Sequence, residues 1–259
     1  MEPTIMERPV GLEHCCAEID KTCANAALYR QCRLKPDHLI VPLSAGNGRS
    51  TLLEYMADRY KAARVMPFDC GLDDFIEIEL DGTLQQLHQA FRDIADAAIY
   101  ANEYSNIIGM DISAIALHQG ETQYTEFLRS CKEICAHACV VFFLHSEPTR
   151  NELRLAEMLS ETVDRVQMLE PVQLSDESLC ELIIRDISAH GITVRAEQSF
   201  RTVLTEAFDV LGVTDGVSAR RNAAALARMA VLRDGKPYLD VQCLRRLIGS
   251  TARLAKGVV

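Results

Sequence analysis

From 11 to 34, apolar residues return at three- and four-residue steps: Leu12, Cys16, Ile19, Cys23, Ala26 and Leu28. That period predicts a helix, and Lys35-Pro36-Asp37 ends it. A strand is expected over 38–43 and a helix over 50–61. Residues 75–80 alternate strictly, as a strand with one wet face does. Asp81-Gly82 marks a turn, and Thr83 suits the cap of a helix over 84–102. The short apolar run 106–111 ends in Asp111 and reads as a buried strand. A helix over 121–137 leads to the strongest buried strand, 139–145, and a helix over 151–159 leads to a last short strand, 165–169. Strands alternating with helices predict a parallel sheet covered on both faces.

Beyond Pro171 the strand signal stops. Ser175 is placed as a helix cap with Asp176 and Glu177 in the first turn. Helices are expected over 176–190, 196–210, 218–233 and 240–255. Gly191, Gly212, Gly216 and Asp234-Gly235-Lys236-Pro237 separate them. The expected organisation is an α/β domain over 1–171 and a small all-helical domain over 172–259.

Composition narrows the function. The chain has 259 residues, 48% of them hydrophobic, and a net charge of −10. That charge opposes a nucleic-acid binder working by bulk electrostatics. No run approaches the roughly 18 apolar residues of a membrane span. Met1-Glu2-Pro3-Thr4 lacks a secretory pattern, so the expected location is the cytoplasm. Ten cysteines are scattered without a paired metal-ligand spacing. Cys15, Cys16, Cys23, Cys131, Cys135 and Cys139 are expected to be reduced and packed as small hydrophobes.

One stretch carries candidate chemistry. After the first strand come Ser44-Ala45-Gly46-Asn47-Gly48-Arg49-Ser50-Thr51, then a helix. Strand, glycine turn and helix form the setting of a phosphate-binding loop, whose backbone N–H groups face an anion. The pattern is incomplete. Leu43 stands where the first glycine belongs and Arg49 where lysine belongs; Gly48 and Ser50 fit. By itself the stretch is equally a plain strand-to-helix turn.

Gly11-Leu12, the run Leu34 to Leu39 into the glycine loop, and Asp164-Arg165-Val166 to Pro171 followed by Leu174 to Leu179 occur in that order. Ser218-Ala219-Arg220-Arg221-Asn222 follows. Together these pieces resemble the AAA+ ATPases, most closely the branch of the red-type rubisco activase and the stage V sporulation protein. The resemblance implies a P-loop NTPase-like parallel sheet and a helical lid. It also implies ATP or ADP with Mg²⁺, and a ring-type assembly. The implied nucleotide-binding positions are Gly46, Asn47, Gly48, Arg49, Ser50, Thr51, Asp111 and Arg220. Ser50 and Asp111 are the implied Mg²⁺ ligands, Thr51 a helix cap, and His145 or Ser146 the implied sensor.

The departures from the family are equally specific. Ile112 follows Asp111 where the family has the glutamate that activates water. Glu161 stands in the arginine-finger stretch Ser160-Glu161-Thr162, although Arg150, Arg154 and Arg165 leave a shifted finger open. Leu80-Asp81-Gly82 stands at the pore loop without an aromatic residue. No residue is assigned a catalytic role. The expected function is a degenerate AAA+ module that binds nucleotide weakly or not at all. It would act as a non-hydrolysing scaffold or regulatory subunit, with itself or an active AAA+ paralogue as partner. An active ATPase that remodels another protein is one alternative. A DNA-associated adaptor is another, with Arg220, Arg221, Arg228 and Arg233 as a basic stretch on one helix.

Overall fold

The computed structural model describes residues 6–66, 75–78, 107–118 and 122–255. The expectations placed on Leu80-Asp81-Gly82, on Thr83 and on the helix over 84–102 lie outside the described residues. Two compact units divide the chain at Val172 and Gln173.

In the first unit, α1 (Glu13–Ala24) and α2 (Ala26–Cys32) replace the single helix expected over 11–34. The break is at Asn25, whose side-chain amide donates to the Lys21 carbonyl. Asparagine competes in this way for groups the helix would otherwise pair. The strands are β1 (His38–Pro42), β2 (Phe75–Ile78), β3 (Ile107–Asp111), β4 (Cys139–Leu144) and β5 (Val166–Met168). They form one sheet in the order β2-β3-β4-β1-β5, every pair parallel. Helices α3 (Arg49–Ala63), α4 (Thr122–His137) and α5 (Arg150–Thr162) make the connections among these described segments.

The central strands are apolar on both faces because both faces are covered. Side chains alternate across a strand. Ile40, Phe142 and Leu144 enter one core with residues of α4 and α5, whereas Leu39, Val41 and Phe143 enter a second with α1 and α3. Cys15, Cys16, Cys131, Cys135 and Cys139 are buried free thiols. Burial pushes the Cys15 thiol up to about 11 and the Cys16 thiol up to about 12, so both stay protonated and unreactive.

The second unit holds α6 (Asp176–Ala189), α7 (Glu197–Glu206), α8 (Phe208–Leu211), α9 (Gly216–Ala227) and α10 (Val241–Ala255). Ser175 caps α6 by accepting the Ser178 N–H at 3.1 Å. The unit is mainly helical, but it is not all-helical. Strands β6 (Thr193–Val194), β7 (Val231–Arg233) and β8 (Lys236–Leu239) form a small sheet in the order β6-β8-β7. The helix expected over 218–233 therefore stops at Ala227. Asp234 and Gly235 both take positive φ, 53° and 75°, and close β7 onto β8 as a tight two-residue hairpin. The sequence hid this because β7 is mostly wet: Leu232 is 72% exposed and leaves no alternation to read.

Gly109 of β3 is a tight point in the first unit. A Cβ there would overlap Leu53 Cδ1 and lie 3.1 Å from Phe143 Cε2. Overpacking of this kind costs about 1–3 kcal/mol. Gly109→Ala is expected to lower the urea midpoint accordingly; an unchanged midpoint would show that α3 does not press on β3 at this residue.

A second test concerns Glu152, which is buried at the start of α5. It completes a capping box with Thr149 and accepts the backbone N–H groups of His145 and Thr149. Burial alone would raise its carboxyl, but these hydrogen bonds outweigh burial and hold it below its usual range. A depressed carboxyl contributes stability that is full above the ordinary glutamate range and fades as pH falls through the folded value. Glu152→Gln is expected to lose about 1–3 kcal/mol at neutral pH and to flatten the acid limb of the stability profile. An acid limb identical to that of the wild type would contradict this.

Candidate functional site at the glycine loop

The glycine loop lies between β1 and α3. Gly46 and Gly48 adopt φ of 85° and 99°, backbone states that glycine reaches without strain. The Ser44 carbonyl accepts the Asn47 N–H, which tightens the turn. Gly48 is the residue before α3, and no side chain caps that end. Thr51 thus sits within the helix and does not cap it. Ser50 is exposed on the first turn, and Asn47 is half-buried. Leu43, the substitute for the first glycine, is buried in the core with α1 and α3 and adds no bulk to the loop opening.

Arg49, the first residue of α3, is only 6% exposed. Its Nε donates to the Leu43 carbonyl at 2.6 Å, and its Nη2 donates to the Leu144 carbonyl at 3.3 Å. Its Nη1 meets Asp111 Oδ2 at 2.5 Å. The guanidinium carbon lies 5.1 Å from the centre of the Phe143 ring. The side chain therefore runs inward along the C-terminal edges of β1, β3 and β4. A guanidinium has five donors in a planar fork, which is why it can hold two carbonyls and a carboxylate at once.

Asp111, at the end of β3, is 28% exposed. Its Oδ1 accepts the Ser113 N–H at 2.9 Å. Burial pushes its carboxyl up, but the Arg49 hydrogen bond and the Ser113 N–H outweigh burial, and the group sits below the usual carboxylate range. Both oxygens are thus engaged by the protein. Ile112 is fully buried and continues the pairing, its N–H donating to the Phe143 carbonyl. The position after the acid is core, with no group that can polarise water.

Ser44 and Ser146 complete the arrangement. Ser44 N–H donates to Ser146 Oγ, and Ser146 N–H donates to Ser44 Oγ, each at 2.9 Å. This reciprocal pair joins the start of the loop to the segment after β4; nothing in the sequence pattern pointed to it. His145 has 59% of its side chain exposed and makes its ring contact with Glu152. Of the residues singled out from sequence, Arg49, Asp111 and Ser146 thus line one sheet edge beside Gly46 and Gly48. Arg220 is exposed on α9 of the second unit. Arg233 belongs to β7 and Arg228 follows α9, so the four arginines do not share one helix as expected. Glu161, Arg150 and Arg154 are exposed on α5, and Arg165 Nη1 donates to the Lys35 carbonyl.

A Mg²⁺ site needs oxygen ligands with free lone pairs and a nearby phosphate. Here the buried Arg49 guanidinium already holds Asp111 Oδ2, and the Ser113 N–H holds Oδ1. In this arrangement the residues do not fit the metal.

No family profile matches the chain, and no curated relative matches it. Solved structures do. A point variant of Thermotoga maritima RuvB is similar at a TM-score of 0.53 and 12% identity, over 95% of this chain and 70% of that one. A katanin self-assembly structure is similar at 0.52 and 11%, over 89% and 81%. PCH-2 of C. elegans is similar at 0.51 and 11%, over 92% and 68%. At these identities the likeness concerns architecture alone, and it shows that the chain has the AAA+ ATPase fold.

Proposed function

We propose that this chain is a non-hydrolysing AAA+-like protein, a scaffold or regulatory subunit of a ring-type assembly. At its glycine loop it binds ATP or ADP weakly or not at all. The observation that supports this reading is the Arg49–Asp111 ion pair. The cation that would meet phosphate is turned into the sheet, and the acid that would support Mg²⁺ is the group that holds it. A nucleotide must first break this pair and strip Arg49 from the Leu43 and Leu144 carbonyls. Breaking these contacts costs free energy that any nucleotide must offset. Ile112 and Glu161 take away the water-activating carboxylate and the finger charge as well, terms that supply much of phosphoryl-transfer catalysis. With those parts missing, the use that remains for the fold is to contact a protein partner, a second copy of this chain or an active AAA+ paralogue.

Calorimetry with ATP and Mg²⁺ tests the reading. The expected dissociation constant is weaker than about micromolar, roughly −8 kcal/mol, with no steady phosphate release. Nanomolar binding, or phosphate release abolished by Asp111→Ala, would establish an active ATPase and overturn it.

A further inference from the structure

We propose that the cavity at the C-terminal ends of α2 and α3 binds a phosphorylated small molecule that carries an aromatic or aliphatic group. The cavity measures about 540 Å³ and lies within the first unit. Arg30, Arg33, Lys61 and Arg64 line it, and among the described residues no acidic side chain does. Tyr29, Leu34 and Val65 supply apolar surface. Four cations in one cavity stand out on a chain of net charge −10.

Part of this charge serves the helices. Carbonyl-rich helix ends attract cations, and Arg30 Nη1 donates to the Ala63 carbonyl at 2.7 Å. Arg33 and Arg64 stand at the same helix ends, but their guanidinium groups donate to no carbonyl among the described residues. Both residues follow a helix in the left-handed conformation, with φ of 53° and 55°. Each is followed by a residue whose N–H reaches back five positions, Leu34 to the Tyr29 carbonyl and Val65 to the Tyr60 carbonyl. This is the helix-ending turn where glycine is the usual choice. An arginine there adds backbone strain, twice, on neighbouring helices, and the Arg33 and Arg64 guanidinium groups have no ion pair or hydrogen bond among the described residues. Backbone needs do not select these side chains, whereas an anion would.

The chemistry of the lining identifies the anion class. Planar guanidinium forks match phosphoryl oxygens in pairs. A cavity of this size falls among small-molecule sites, well short of a macromolecular interface. The apolar lining suits a base or an acyl group beside the phosphate. This site lies at the opposite end of β1 from the glycine loop and is independent of the reading proposed for that loop.

The test is calorimetry of the full chain with pyrophosphate, with ADP and with a hexaglutamate peptide, at low and moderate salt. Wild type is expected to bind pyrophosphate and ADP, ADP more tightly, with affinity that falls as salt rises. The double variant Arg33→Gly/Arg64→Gly removes both charges and relaxes both left-handed positions, so its melting temperature should hold or rise. It is expected to lose at least tenfold in affinity for both ligands. Absence of binding by wild type, equal affinity in the folded double variant, or tighter binding of hexaglutamate would each overturn the proposal. Titrating the double variant with ATP and Mg²⁺ leaves the glycine loop to report by itself, so the two readings can fail separately.

Discussion

A buried guanidinium must be answered by acceptors, and at the head of α3 that requirement organises the whole loop. Burial removes the water that would otherwise solvate the Arg49 guanidinium. Its compensation comes from Leu43 before the loop, Leu144 at the end of β4 and Asp111 at the end of β3. These acceptors lie on three adjacent strands, so one side chain fixes α3 against the C-terminal edge of the sheet. In a phosphate-binding loop that edge is where the ligand's charge would be met. Here the protein supplies both signs itself.

The other replacements support the same closed arrangement. Leu43 can stand for glycine because its side chain drops into the core beneath α1 and α3 while its carbonyl remains available to Arg49. Ile112 extends the β3 pairing into the core, so its apolar character stabilises the sheet at the position where water activation would need a carboxylate. The Ser44–Ser146 pair satisfies two backbone N–H groups between the start of the loop and the segment after β4.

Much of the first unit was legible because buried parallel strands are continuous apolar runs, and Cys139–Leu144 is such a run. The glycine loop was legible because Gly46 and Gly48 sit where positive φ is needed. What stayed hidden depends on side-chain direction. A sequence places Arg49 beside Ser50 but does not say that it turns into the sheet to meet Asp111, 62 residues away. The Ser44–Ser146 contact spans 102 residues and uses the commonest of polar side chains. The hairpin of β7 and β8 was missed for a different reason: its strands are short and mostly wet, and Asp234-Gly235 was read as a helix separator although it is also the strongest two-residue hairpin signal.

The sheet, its two cores and the helix caps are all built from contacts within the chain. The central claim is that Arg49 and Asp111 hold each other strongly enough to stand in for a ligand. A double-mutant cycle in urea, using Arg49→Ala, Asp111→Ala and the pair, measures that directly. The expected result is two costly single variants and a coupling energy of about 1–3 kcal/mol between them; strictly additive effects would mean that the pair is incidental and that the loop is open to a nucleotide after all.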